Sequence, residues 1–253
     1  MSPPVISIST NKQDHLAAAR ALSAIFYKLG VRHAYIGGFA WSLLGSIRPT
    51  EDIDVLIQDS NILELRERLI DLDPHFVDFA GFKLYYVTQT PDGHLVREQL
   101  VRSSTNNVLV ETLSAGSLGL PVAIVSTYRA VEAGIDILHP GVLILTKFKR
   151  WSVQHTSTRP KTIRKNSERI RFDEYKGKSK PELLAMIRKY HDKYADDVEQ
   201  MEKLRSIMPD DWVDMLGLTE PDSLCLHSCN SPLILDVGAS IRRSSVAAET
   251  VYT

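Results

Sequence analysis

The chain has 253 residues, of which 43% are hydrophobic and 24% charged, and its formal net charge is −1. This composition is ordinary for a globular protein, and the length is sufficient for a core that needs neither disulfides nor a structural metal. The balanced charge excludes a global electrostatic attraction to nucleic acid or to a membrane surface. With two cysteines, Cys225 and Cys229, no signal-peptide pattern and no long apolar run, the sequence predicts a cytoplasmic protein without a membrane partner.

Hydrophobic periodicity predicts helices and strands in alternation. Apolar residues recur at steps of three and four over residues 14–29, which indicates an amphipathic helix, and Gly30 stands where such a helix ends. Residues 52–57 alternate in character, as expected for a strand with one buried face. The predicted elements in chain order are a helix over 14–29, a strand over 31–36, a short helix over 39–44, a strand over 52–57, a helix over 61–72, strands over 76–79, 82–88 and 108–113, helices over 126–137 and 142–151, a long helix over 181–207, and a short helix over 210–216.

Changes in composition predict the organisation of the chain. The segment 154–180 is polar and basic and has little apolar periodicity, and the periodic pattern is lost again after residue 217. We therefore predict a flexible N-terminus over 1–12, an α/β core over 13–125, a helical C-terminal part over 126–217, and a mobile tail over 218–253.

Two glycines and two aspartates carry the clearest chemical signal. Gly37 and Gly38 follow a predicted strand and precede a predicted helix, a position from which a backbone can approach a phosphate closely. Thirteen residues separate Gly38 from Asp52, which forms an Asp-x-Asp pattern with Asp54 on the next strand. Residues two apart on a strand share a face, so the two carboxylates converge and call for a proton or a cation between them. Mg²⁺, or Mn²⁺ in its place, suits such an oxygen-ligand site.

A third acid would complete a two-metal site that holds both the attacking and the leaving oxygen. Glu111 is the candidate, because it lies among apolar residues in a predicted strand over 108–113, where a buried carboxylate needs a partner.

The pattern from Gly37-Gly38 through Arg48-x-Thr50-x-Asp52-Ile-Asp54-Val resembles the DNA polymerase β-like nucleotidyltransferase superfamily. Its small toxin–antitoxin-type and fungal-type members are the most similar branches. The resemblance covers roughly residues 15–155. It implies an α/β (α+β) nucleotidyltransferase fold, with a mixed sheet flanked by helices and a C-terminal helical extension.

The resemblance also implies the roles of particular residues. Asp52 and Asp54 would bind Mg²⁺ or Mn²⁺, and Glu111 would be the third metal ligand beside the acceptor hydroxyl. The triphosphate of a nucleoside triphosphate such as ATP would lie at the glycine turn. The residues that bind this co-substrate would be Gly37, Gly38, Arg48, Thr50 and Lys147. The acceptor would be a small molecule or a protein. No pattern in the sequence specifies the oligomeric state.

Structural alternatives stand beside these roles. The glycines are compatible with an ordinary tight turn, and Glu111 with an ion pair to Arg48 or Lys147. Lys147 would then be the polar edge of a helix, and Arg48 a brace for the loop before the strand. The basic stretch over 147–180 is compatible with an RNA contact, but its sparse aromatic residues favour a solvated face.

Three functions therefore compete. The favoured one is metal-dependent transfer of a nucleoside monophosphate. The second is a repurposed nucleotidyltransferase fold that binds or converts another small molecule, and the third is an RNA-binding or RNA-modifying protein.

Overall fold

Seven strands form one mixed sheet at the centre of the described part of the chain. The computed structural model describes residues 6–58, 61–81, 83–88, 101–102, 104–154 and 168–218. The strands are β1 (His33–Ile36), β2 (Asp52–Ile57), β3 (Phe76–Phe79), β4 (Lys83–Val87), β5 (Asn107–Ser114), β6 (Thr127–Ala130) and β7 (Ile135–Leu138). Their order in the sheet is β3-β4-β5-β2-β1-β7-β6. The helices are α1 (Lys12–Lys28), α2 (Gly37–Leu43), α3 (Ile62–Leu72), α4 (Pro140–Gln154), α5 (Lys180–Tyr194), α6 (Val198–Ile207) and α7 (Trp212–Leu216).

Strand β2 lies in the middle of the sheet. It pairs antiparallel with β1 on one side and parallel with β5 on the other. Ile53, Val55 and Ile57 are fully buried in the main core, to which α1 and α3 contribute. Because successive side chains alternate, Asp52 and Asp54 lie together on the opposite face of the same strand.

A second, smaller apolar cluster covers the other face of β3, β4 and β5. Its buried members are Val77, Tyr85, Val87 and Val101. The segment before α1 contributes to it, since Ile8 packs against the cluster and forms a bridge with Asn107 of β5. Of the N-terminus predicted to be flexible, residues 1–5 lie outside the described part.

The predicted helix over 126–137 is wrong, because this segment is the hairpin of β6 and β7. Gly134 has a positive φ of 68° and forms the turn, in which its backbone N–H donates to the carbonyl of Ala130. Ile135 and Ile137 are fully buried, and β7 pairs in parallel with β1 at the centre of the fold. A helix here would have placed a glycine in its interior at a cost of about 1 kcal/mol.

The single long helix predicted over 181–207 is also wrong. The helix α5 ends at Tyr194, and α6 begins at Val198 after Asp197, whose side chain accepts a hydrogen bond from the backbone N–H of Gln200. Such a side-chain cap satisfies one of the free N–H groups of a new helix and so fixes the break.

The described elements belong to one structural unit, which ends at Leu216. The predicted tail lies outside the described residues from position 219 onward, and the central part of the basic segment does so over 155–167. No helix within the described ranges has the length and apolar character needed to cross a membrane.

Candidate functional site

The carboxylates of Asp52, Asp54 and Glu111 form one cluster. Strands β2 and β5 are parallel and in a register that sets Asp54 beside Glu111. Each side chain offers one oxygen, and these oxygens all lie within 4.8 Å of one another. Asp52 and Asp54 are half-buried, whereas Glu111 is exposed. The structure therefore brings together the three acids that the sequence suggested, although Glu111 does not have the buried environment expected from its apolar neighbours.

Burial and mutual repulsion disturb the ionisation of this cluster. Burial is the largest cause that raises the pKa of Asp54, and the nearby carboxylates of Asp52 and Glu111 act in the same direction, so that the pKa rises from 3.8 to about 7. A hydrogen bond with Glu111 also favours the protonated form of Asp54, and only Lys147 opposes these effects. Without a cation, Asp54 thus holds its proton to a higher pH than an ordinary aspartate does. A divalent cation would stabilise the charged form of the carboxylates against burial and mutual repulsion, and the donor set fits Mg²⁺ or Mn²⁺.

The two glycines are required by the packing of the cluster. Gly37 has a positive φ of 66° and begins α2 directly after β1. A β-carbon added at Gly37 would lie 1.6 Å from Oδ2 of Asp54, and one at Gly38 would lie 2.5 Å from Oγ1 of Thr50. Any side chain at either position would displace a residue of the site. The glycine turn therefore makes room for the carboxylate and the hydroxyl of β2 and its preceding loop.

Thr50 supports the carboxylate of Asp52. Its hydroxyl lies 3.0 Å from Oδ1 of Asp52 and 3.2 Å from the backbone carbonyl of the same residue, so it is placed to donate to either oxygen. Because Thr50 is also in close contact with Gly38, it links the glycine turn to the acidic strand. The sequence suggested that Thr50 would contact a cofactor, and what the structure shows is a contact with Asp52.

A cleft of about 310 Å³ opens beside the two aspartates. Its lining comes from α2, the loop before β2, β2 itself and α4. The lining residues are Gly38, Trp41, Ser46, Arg48, Pro49, Thr50, Glu51, Asp52, Asp54 and Lys147. Arg48 and Lys147, both suggested by the sequence, therefore face the same space as the acids. A cleft with two cations and a carboxylate cluster can hold a polyanion bridged by a metal ion.

Four residues of the cleft were not predicted as site residues: Trp41, Ser46, Pro49 and Glu51. Trp41 is only 3% exposed, yet it also forms part of the wall. Its indole nitrogen has no hydrogen-bond partner among the described residues. The position of Trp41 within the first turns after Gly37-Gly38 was the one signal that could have identified it, because that helix starts at the site.

The described part of the basic segment is largely neutralised by acids. Arg169 pairs with Asp210, Arg171 with Glu174, and Lys180 with Asp211. Three of its cations thus connect the segment to its own acids or to the start of α7, in line with a solvated, structural face.

Comparison with known proteins gives a likeness of fold. No protein-family model matches the sequence, and a search of curated proteins also gives no match. Among solved structures, the chain is similar to the crystal structure of an antigenic nucleotidyltransferase-like protein from Paracoccidioides brasiliensis, with a TM-score of 0.52 and 17% sequence identity. The likeness covers 79% of this chain and 95% of the other. The chain has the nucleotidyltransferase-like fold, a mixed sheet with helices and a C-terminal group of helices, as the resemblance implied.

Proposed function

We propose that this protein is a metal-dependent nucleotidyltransferase that moves a nucleoside monophosphate from a nucleoside triphosphate to a small-molecule or protein acceptor. The observation that carries the proposal is the meeting of Asp52, Asp54 and Glu111, with oxygens within 4.8 Å of one another on a sheet of the nucleotidyltransferase-like type. Neither the glycine turn nor the Asp-x-Asp pattern would suffice alone, because each is common in unrelated proteins.

The metal would be Mg²⁺ or Mn²⁺, held by Asp52, Asp54 and Glu111. When bound, such an ion neutralises charge on the phosphates and on the oxygens that attack and leave. The chain itself prepares the site by holding three carboxylates in a cluster that is unfavourable without a positive charge. Thr50 keeps the carboxylate of Asp52 in place through its hydroxyl.

The cleft would hold the triphosphate. Arg48 and Lys147 line it and would stabilise negative charge on the phosphates as the reaction proceeds. In the transfer, an acceptor hydroxyl oxygen forms a bond to the α-phosphorus while the bond from that phosphorus to the bridging oxygen breaks. Pyrophosphate leaves with the bonding electron pair, and the hydroxyl proton passes to Glu111 or to water.

Isothermal titration of ATP and the other nucleoside triphosphates, with and without Mg²⁺, tests the proposal on the full chain and on Asp54→Asn. We expect binding that requires Mg²⁺ and that Asp54→Asn weakens at least about tenfold. Asp71→Asn is the matched control, since it removes the same charge from an exposed position of α3 and leaves the cleft and the three-acid cluster intact. Binding that is indifferent to both Mg²⁺ and Asp54→Asn would contradict the proposal.

One observation favours the second candidate, a repurposed fold without nucleotide transfer. The raised pKa of Asp54 lets this carboxyl hold a proton near neutral pH, which relieves the repulsion within the cluster in the absence of a cation. On that candidate, the same titration detects no nucleotide binding at any Mg²⁺ concentration.

A further inference from the structure

The site continues across the sheet as a row of side chains on one face. Asp54 of β2 pairs with Glu111 of β5. Strand β4 runs antiparallel to β5 with Leu84 opposite Val110, so continuation of this register sets Lys83 opposite Glu111. Lys83 in turn pairs with Phe79 of β3. Residues directly opposite each other in neighbouring strands point to the same face. The row therefore reads Asp54, Glu111, Lys83 and Phe79.

Two exposed cations, Lys83 and Arg102, lie at the outer end of this row, and both have backbones that are fixed by packing or strand pairing. The guanidinium of Arg102 lies 5.3 Å from the centre of the Phe79 ring, a distance at which a cation is attracted to the aromatic face. Its neighbour Val101 is fully buried in the smaller apolar cluster, which fixes the backbone of Arg102 against the sheet. Lys83 is held by the pairing of β4 with β3.

These cations lie on the opposite side of the acids from the cleft. The described lining of the cleft comes from α2, residues 46–51, β2 and α4, whereas Lys83 and Phe79 lie beyond Glu111, on β4 and β3. In a phosphoryl transfer, the attacking and leaving oxygens approach the phosphorus roughly in line from opposite sides. If the leaving pyrophosphate is held by Arg48 and Lys147, the acceptor has to enter from the side of Glu111.

We propose that the acceptor is a hydroxyl compound that carries an anionic group, a phosphate or a carboxylate, and that this group binds at Lys83 and Arg102 while the hydroxyl lies at Glu111. This inference rests on the proposed function, because it assigns the acceptor of that same reaction. Its chemistry follows from the surface, where Lys83 is next to Glu111 in the row and Arg102 lies over the ring of Phe79 at the outer end. Neutral acceptors gain nothing from this arrangement, whereas an anion gains charge-assisted hydrogen bonds.

Titration of the ¹⁵N-labelled full chain with three small probes tests the proposal by NMR. The probes are glycerol 3-phosphate, glycerate and glycerol, which share hydroxyl groups and differ in the anion. The buffer contains EDTA, so that no cation at the acids can attract the phosphate by itself. We expect the two anions, but not glycerol, to shift the amide signals of Lys83, Arg102 and their neighbours, and the tighter of the two identifies the preferred anion.

Three variants test whether the two cations themselves bind the anion. Lys83→Gln and Arg102→Gln should each raise the Kd of the tighter anion about tenfold, the effect of losing one charge-assisted contact. Lys28→Gln removes the same charge from the last turn of α1 and should leave the Kd unchanged. The proposal is overturned if glycerol acts like the anions, if the shifts centre on Arg48 and Lys147, or if no probe binds. Its failure is distinct from that of the proposed function, which is decided by Mg²⁺-dependent nucleotide binding.

Discussion

The carboxylate of Asp54 lies where the β-carbon of any residue other than glycine at position 37 would be. A β-carbon at Gly37 would lie 1.6 Å from Oδ2 of Asp54, far inside any permitted contact. Because β1 and β2 are paired at this point, with Ile36 opposite Asp54, neither strand can move away without loss of sheet hydrogen bonds. The geometry of the acidic cluster is therefore coupled to the backbone of the turn.

Gly37→Ala should destroy the cluster as well as strain the turn. We expect a loss of about 2–5 kcal/mol in the free energy of unfolding, from the clash with Asp54 together with the positive φ. Gly30→Ala is the matched control, since Gly30 has nearly the same φ, 67°, and an added β-carbon meets nothing within 4 Å. Urea denaturation and Mg²⁺ titration should show that the control loses only about 1–2 kcal/mol and keeps its cation affinity. Equal behaviour of the two variants would contradict the packing argument.

Thr50→Val should weaken cation binding while the fold is retained. The substitution removes the hydroxyl that contacts Oδ1 of Asp52 and keeps the side-chain shape, so the carboxylate loses its orientation. We expect the Kd for Mn²⁺ to rise about tenfold, as is common when a partner of a metal ligand is lost. Thr50→Ser restores the hydroxyl and should restore affinity.

Thr146→Val serves as a further control for Thr50, because it removes a hydroxyl that contacts the Leu143 carbonyl within α4. Its Mn²⁺ affinity should be that of the parent. If Thr50→Val and Thr50→Ser bind Mn²⁺ equally well, the hydroxyl does not position Asp52.

Asp54→Asn should make the cation-free protein more stable at alkaline pH. The folded-state pKa of Asp54 is raised from 3.8 to about 7, so the stability that this group contributes is present below pH 4 and is lost as the pH rises through 7. An amide at this position has no charge to desolvate. At pH 8 in EDTA we expect a gain of about 1–3 kcal/mol in the free energy of unfolding, measured with urea. Addition of Mg²⁺ should stabilise the native protein but not Asp54→Asn. If Asp54→Asn is less stable than the native protein in EDTA, then burial and repulsion of the Asp54 carboxylate do not destabilise the fold.

Protonation of His33 should destabilise the fold in mild acid. Its side chain is 5% exposed between Phe26, Tyr27 and Tyr35, and burial lowers its pKa below the ordinary value of 6.5. Below pH 6.5 the unfolded chain therefore takes up a proton that the folded chain does not, so stability falls as the pH decreases towards the folded-state pKa. The contribution approaches about 1.4 kcal/mol per pH unit at most. His33→Gln should flatten this part of the stability profile, and an unchanged slope between pH 6.5 and 5 would exclude His33 as its source.

The sequence was sufficient to predict those parts of the structure that depend on the pattern of neighbouring residues. The strand β2 was predicted at its true bounds, Asp52–Ile57, because its alternation and its two acids agree. Glu111 was identified as the candidate third acid because it is a charged residue within an otherwise apolar strand. The register that sets it beside Asp54 follows from tertiary pairing of distant segments, and no short-range pattern encodes that pairing.

The errors have equally specific causes. The segment of β6 and β7 has apolar residues at helical as well as strand spacing, and its strand state is decided by the pairing of β7 with β1. Asp197 caps the start of α6 three residues after α5 ends at Tyr194, a signal that the continuous periodicity on either side obscured. Trp41 is large and apolar, which indicates a core position and says nothing about the cleft on its other side.

The central position of β2 has a consequence for protein synthesis. The aspartates belong to an early segment of the chain, but their partner strand β5 follows only after α3, β3 and β4 have been made. A ribosome-bound chain that has released Asp52 and Asp54 still lacks Glu111, and its half-built sheet has an open edge beside β2. The three acids can therefore assemble only after β5 has been made, and any truncated product that ends before β5 is left with an incomplete ligand set.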